Sequence, residues 1–154
     1  MEITTAVLTI DKPAGKIVEY SYLKKAWVTA MDNKNAPGQQ SRLHHMKLNP
    51  APFAMIKSGE KTIELRLFDE KRRQIREGDQ IVFSNTATGE TLCTTVVRLH
   101  CFACFAELYQ ALPLLQCGYT SADIETAHPS DMEQYYSADR QKQYGVVGIE
   151  LCCI

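Results

Sequence analysis

Alternation of apolar and polar positions gives the first reading of the chain. Ile63, Leu65 and Leu67 recur at every second residue with Thr62, Glu64 and Arg66 between them. A period of two marks a strand with one face on a core, here leaving the other face as a line of hydrogen-bonding groups. The same pattern predicts strands at His44 to Leu48, where Met46 and Leu48 point one way, and at Gln80 to Phe83. Two longer strands follow. Leu92 to Phe102 sets Val97, Leu99 and Cys101 against Val96, Arg98 and His100. Tyr144 to Cys152 sets Val147, Ile149 and Leu151 against Val146, Gly148, Glu150 and Cys152. The stretch from Asn85 to Glu90 carries Gly89 and reads as a hairpin loop into the long strand.

Between the strands the period lengthens. Asn49-Pro50 opens a helix, because asparagine caps free N–H groups and proline fits the first turn without losing a bond. Phe53, Met55 and Ile56 form its buried stripe and Gly59 ends it. Phe68 to Arg76 is a charged connection, and Glu77-Gly78-Asp79 turns into the next strand. Ala103 to Leu112 is amphipathic through Phe105, Leu108 and Tyr109, with Pro113 closing it. Short helical pieces fill Leu114 to Ala138, broken at Gly118, Pro129 and Ser130; Thr120 to Asp123 and Ser130 to Glu133 resemble capping boxes. By pattern the fold class is α+β. The strand count, the short turns and the interposed helices suggest a small, strongly bent sheet or partly closed barrel with helices packed outside.

The first forty residues read less clearly. Ile3, Ala6, Leu8 and Ile10 suggest a short strand, Lys12 to Gly15 a turn, Ile17 to Met31 a loose helix, and Asp32 to Ser41 a linker. The organisation expected is residues 1–43 as an extension or linker and 44–154 as the domain. Met46 would be a natural first residue for a minimal domain, so the extension is either an accessory segment or a start assigned too far upstream.

Length and composition narrow the picture. A chain of 154 residues with 45% hydrophobic and 23% charged content has the size and make-up of one globular domain. Its net charge of -1 excludes a whole-molecule basic field, so any nucleic-acid site must be local. Cations gather between Lys57 and Arg76, and acids such as Asp123, Asp131 and Asp139 lie later. No apolar run reaches the ~18 residues of a membrane span, and Glu2 is wrong for a signal peptide, so a cytoplasmic protein without a membrane partner is expected. The six cysteines then read as reduced. Cys101-x-x-Cys104 lacks a second ligand pair, and His44 and His45 face opposite sides of a strand, so no metal site is assigned.

The chemistry concentrates after Gly59. A glycine bend there leaves Lys61 at the mouth of the strand, with Glu64 and Arg66 further along. An isolated Lys/Glu/Arg trio has a bland reading, a solvated strand face whose ion pair is worth roughly 0–1 kcal/mol. It has a second reading, a recognition site in which arginine grips a phosphate or a base edge. Tyr136 and Tyr144 are available to stack on a base.

The spacing Gly59-x-Lys61-x-x-Glu64-x-Arg66, followed by Gly78-Asp79 and by Tyr144-Gly145-Val146-Val147-Gly148-Ile149, resembles the ASCH domain family of the PUA-like superfamily from about His44 to the C-terminus. The resemblance implies a bent, partly closed barrel. It also implies a cleft that binds RNA or a modified nucleotide, with Gly59, Lys61, Thr62, Glu64, Arg66, Tyr136 and Tyr144 as candidate ligand-binding residues. An alternative is a hydrolase of the same family, with Lys61 and Glu64 as the catalytic residues. One branch deacetylates N4-acetylcytidine with the motif lysine, a nucleophilic threonine and a downstream glutamate. Here Glu64 stands at the threonine position, with Thr62 the nearby hydroxyl. Other members are metal-dependent ribonucleases, which would bring Mg or Mn; no other cofactor is expected.

Overall fold

A computed structural model describes residues 40–154; the elements expected before residue 40 lie outside them. The described chain runs β1 (Leu43–Leu48), α1 (Pro50–Ser58), β2 (Ile63–Leu67), β3 (Gln80–Asn85), β4 (Thr91–Phe102), α2 (Phe105–Ala111), α3 (Ala138–Tyr144) and β5 (Val146–Cys153). The five strands form a half-barrel sheet in the order β1-β3-β4-β5-β2. β1 lies parallel to β3, and the other neighbours are antiparallel. β1 and β2 are consecutive in the described chain yet form opposite edges of this sheet, so α1 and the bend after it carry the chain from one edge to the other.

Both faces of the sheet are covered. One core cluster gathers Met46, Phe53, Ile56, Ile81, Phe83, Val96, Val147 and Ile149; the other packs Ile63, Leu65 and Leu67 against Phe105, Leu108 and Val146. The expected apolar face of β2 is therefore right. Its polar face is not an open line of groups: Glu64 pairs with Ile149 and Arg66 with Val147 across the β2–β5 ladder, which turns both toward the main core.

Four local expectations change. Asn49 precedes α1 without a side-chain cap; its Oδ1 accepts from Thr86 Oγ1 at 3.3 Å instead. A register shift between Val96 and Arg98 breaks the alternation of β4, leaving Val96 buried and Val97 exposed. The second capping box starts at His128, not Ser130, with Asp131 as its returning acid. Tyr144 ends helix α3 and does not open the last strand.

Asp79, in the Gly78-Asp79 turn, is a structural hub. Its carboxylate accepts hydrogen bonds from Arg42 N–H at 3.0 Å and Arg76 N–H at 3.0 Å, and lies 2.8 Å from His44 Nε2. Burial opposes its charge, but the Arg42, His44 and Arg76 contacts more than offset that, and its pKa falls below the ordinary value. His44 thus ties β1 to the start of β3.

Candidate binding cleft

Gly59 closes α1 with a φ of 83°, a backbone conformation that costs other residues energy, and its N–H donates to Ile56 O at 3.1 Å. Lys61 N–H then reaches back to Met55 O at 3.0 Å. These two bonds fix where the lysine leaves the helix.

Three charged side chains meet beyond this bend, Lys61 and Glu64 buried and Arg66 half-buried, with 10%, 5% and 16% of their side chains exposed. Lys61 Nζ is 2.8 Å from Glu64 Oε2, and Arg66 Nε is 2.8 Å from Glu64 Oε1. Both are charge contacts; Glu64 Oε2 and Arg66 Nε lack the alignment of a hydrogen bond. Arg66 Nη2 also donates to Lys47 O at 2.9 Å, so the guanidinium bridges the two edge strands of the half-barrel. Burial opposes its charge, yet the Glu64 carboxylate and the Tyr136 phenol outweigh burial and raise its pKa. Gly118, with a φ of 107°, lies against the lysine; a Cβ there would stand 3.1 Å from Lys61 Cδ.

The trio lines a cleft of about 550 Å³, within the range of small-molecule sites. Ala51, Pro52 and Met55 of α1 contribute apolar surface, and the segment from Cys117 to Tyr136 contributes Tyr119, Asp131, Met132, Tyr135 and Tyr136. Tyr136 stacks on Phe105, with ring centroids 6.0 Å apart and planes 19° apart, whereas Tyr135 is 58% exposed at the rim. Tyr109 and Tyr119 join their hydroxyls at 2.7 Å, and Tyr119 donates onward to Asp131 Oδ2 at 2.8 Å. Burial first, then its Tyr109 and Asp131 contacts, push the Tyr119 pKa far up. Burial likewise pushes the Cys117 thiol up to about 11, Lys61 acting against the rise and Glu64 adding to it, so this cleft cysteine is a neutral thiol at pH 7.

Of the residues expected at the site, Lys61, Glu64, Arg66 and Tyr136 line the cleft; Gly59, Thr62 and Tyr144 do not. Gly59 acts through the backbone alone. Thr62 sits under the 3-10 turn at Leu114–Cys117, its hydroxyl donating to Gln116 Oε1 at 3.3 Å and its N–H to Gln116 O at 3.0 Å. Tyr144 ends α3, and its ring packs into the second core cluster. Sequence reading passed over Lys47, Gly118, Tyr119, Asp131 and Tyr135. The adjacent Tyr135-Tyr136 pair was a usable signal; nothing local announces that Gly118 touches Lys61.

A divalent metal does not fit this donor set. Among the described residues no group of three or more His, Cys, Asp and Glu side chains is placed to hold one. In the cleft, both Glu64 oxygens face cations, and Asp131 Oδ2 is already taken.

A model of the ASCH domain matches residues 46–152. Among solved structures, the hypothetical protein PH0355 is 36% identical, with a TM-score of 0.62, and the match covers 73% of this chain and 99% of that one. Protein PF0455 from Pyrococcus furiosus is 32% identical, with a TM-score of 0.56, over 73% of this chain and 97% of that one. The ASCH protein from Zymomonas mobilis shares the fold at a TM-score of 0.50 with 12% identity, over 72% of this chain and 67% of that one. No curated protein is similar enough to match.

Proposed function

The chain belongs to the ASCH domain family, and from that premise we propose that it binds RNA or a modified nucleotide in the cleft beside Lys61, Glu64 and Arg66. One observation carries the reading: a charge cluster of buried Lys61 and Glu64 with half-buried Arg66 lines a cleft that tyrosines also line. Buried ion pairs are weak sources of stability, because desolvation offsets most of their attraction. Their use here is recognition. The Lys61 ammonium has three N–H donors and makes one charge contact, with Glu64, which leaves donors for a ligand. Tyr135 and Tyr136 add surface on which a base can stack, an interaction worth roughly 1–3 kcal/mol per base.

The binding reading is favoured over hydrolysis by what surrounds the lysine. Glu64 stands where the amidohydrolase branch has its threonine, and it is held between two cations. The Thr62 hydroxyl is turned to Gln116, outside the cleft, and Cys117 is a neutral thiol. Neither Thr62 nor Cys117 is thus poised to attack an amide in the cleft.

The test is a thermal-shift and titration series with nucleosides, nucleotides and short RNAs. A ligand that binds only the folded state raises the melting temperature, by an amount worth about 2.7 kcal/mol at a hundredfold excess over Kd. Lys61→Met retains the aliphatic contact with Gly118 and removes the ammonium. Loss of at least about tenfold in affinity with folding preserved is expected. If no ligand in the series raises the melting temperature, or if the variant binds as tightly, the proposal fails. Acetate release from N4-acetylcytidine and RNA cleavage in Mg or Mn are the parallel assays, and turnover in either would restore the hydrolase reading.

A further inference from the structure

The wall of the cleft contributed by Asp131 is built with more care than its capping role requires. As the returning acid of the cap at His128, Asp131 needs only the hydrogen bond from His128 N–H, which reaches Oδ2 at 2.9 Å. The same oxygen accepts from Tyr119 at 2.8 Å, and Tyr119 is in turn joined to Tyr109 at 2.7 Å. This chain starts on α2, well away in sequence, and ends on one carboxylate oxygen. Two donors on Oδ2 fix the plane of the carboxylate, and its other oxygen, Oδ1, takes no hydrogen bond from a described residue while Asp131 lines the cleft. A carboxylate has about four acceptor positions, so Asp131 keeps acceptor capacity on a residue that lines the cleft.

We propose that Asp131 is a specificity-determining residue, whose Oδ1 accepts a hydrogen bond from a neutral donor on the bound nucleoside or nucleotide, either a ribose hydroxyl or an exocyclic amino group. Tyr119 is the positioning residue that holds it. The inference rests on the cleft being the ligand site. A second carboxylate lining the same cleft as Glu64 also disfavours a phosphate at that wall, since like charges repel. A donor with no charge meets no such penalty. Sites built to satisfy a particular hydrogen-bonding group reject analogues lacking it, because the site's own polar group is then left without a partner.

Asp131→Asn tests this without changing the shape of the wall. The amide carbonyl must occupy the Oδ2 position to accept from Tyr119 and His128, so its NH2 replaces the free oxygen and turns an acceptor into a donor. Affinities are measured for matched pairs, adenosine against 2'-deoxyadenosine for the hydroxyl and cytidine against uridine for the amino group. The unaltered protein should prefer the donor-bearing member of one pair, and Asp131→Asn should reduce that preference by roughly tenfold or more, with the other member little affected. Tyr119→Phe removes the hydroxyl link without touching Asp131 and should reduce the same preference by a smaller factor, which keeps the test available if the first variant folds poorly. Equal weakening of both members, or unchanged ranking in both variants, overturns the role of Asp131 while leaving the cleft reading intact. If the unaltered protein binds none of the nucleosides, nucleotides or RNAs, the cleft reading falls and this inference with it.

Discussion

Two buried carboxylates, Glu64 and Asp79, are each 4% exposed, yet they do opposite things. Asp79 spends its capacity inside the protein: two backbone N–H groups and a histidine ring converge on it, and it lines no part of the cleft. Glu64 meets two side-chain cations at poor hydrogen-bonding angles and borders open volume. A buried charge that the backbone satisfies is architecture. One held by other movable charges beside a hollow is the candidate for recognition.

The contrast is sharpest when each acid is removed. Glu64→Ala strands Lys61 and Arg66 without their counter-charge and should cost about 3–5 kcal/mol of unfolding free energy by denaturant titration. A loss below about 1 kcal/mol would mean that the trio is solvated and that the contrast is false. Asp79→Ala should cost less, about 1–3 kcal/mol, since water can reach some of the freed donors. It should leave ligand affinity unchanged. Because the folded pKa of Asp79 lies below the ordinary value of 3.8, its stabilising contribution is complete above that range and is lost as pH falls through the depressed folded value. In Asp79→Asn the acid limb of the stability curve should be shallower; an unaltered limb would reassign the acid sensitivity to other carboxylates.

Gly118→Ala probes the recognition side alone. Its φ of 107° disfavours any side chain, and the added methyl meets Lys61 Cδ at 3.1 Å, so a cost of roughly 1–2 kcal/mol and weakened binding should appear together. Destabilisation with ligand affinity intact would show that the lysine does not depend on this contact. The smallest effect belongs to Thr62→Val. Its hydroxyl only meets Gln116, and both stability and binding should stay within about 0.5 kcal/mol of the parent. A larger binding loss would return Thr62 to the site.

How much of this was legible in the sequence follows the range of the interactions. Gly59 was readable as the helix stop because the need for a positive φ is local, and β2, β3 and β5 were readable because their period is. The β4 bulge was hidden, because one extra residue against a partner strand leaves no mark on the strand that carries it. Thr62 and Tyr144 were expected at the site from their sequence positions, and packing took both elsewhere. Asp131 was read as part of a capping stretch and of the later acidic residues, not as a site residue; its hydroxyl partners come from Tyr119 and, through it, Tyr109.

The amino-acid sequence by itself determined the five strands, the helices α1 and α2, the bend after α1 and the family, since each depends on neighbours a few positions apart or on a fixed motif, whereas α3 was not legible there. Tertiary structure alone decided that the polar face of β2 turns toward the core, that Arg66 reaches the backbone of β1, and that the segment from Cys117 to Tyr136 supplies tyrosines and a second carboxylate to the cleft. The reason is physical: burial and charge pairing depend on which distant segments share a volume, and local periodicity carries no record of that.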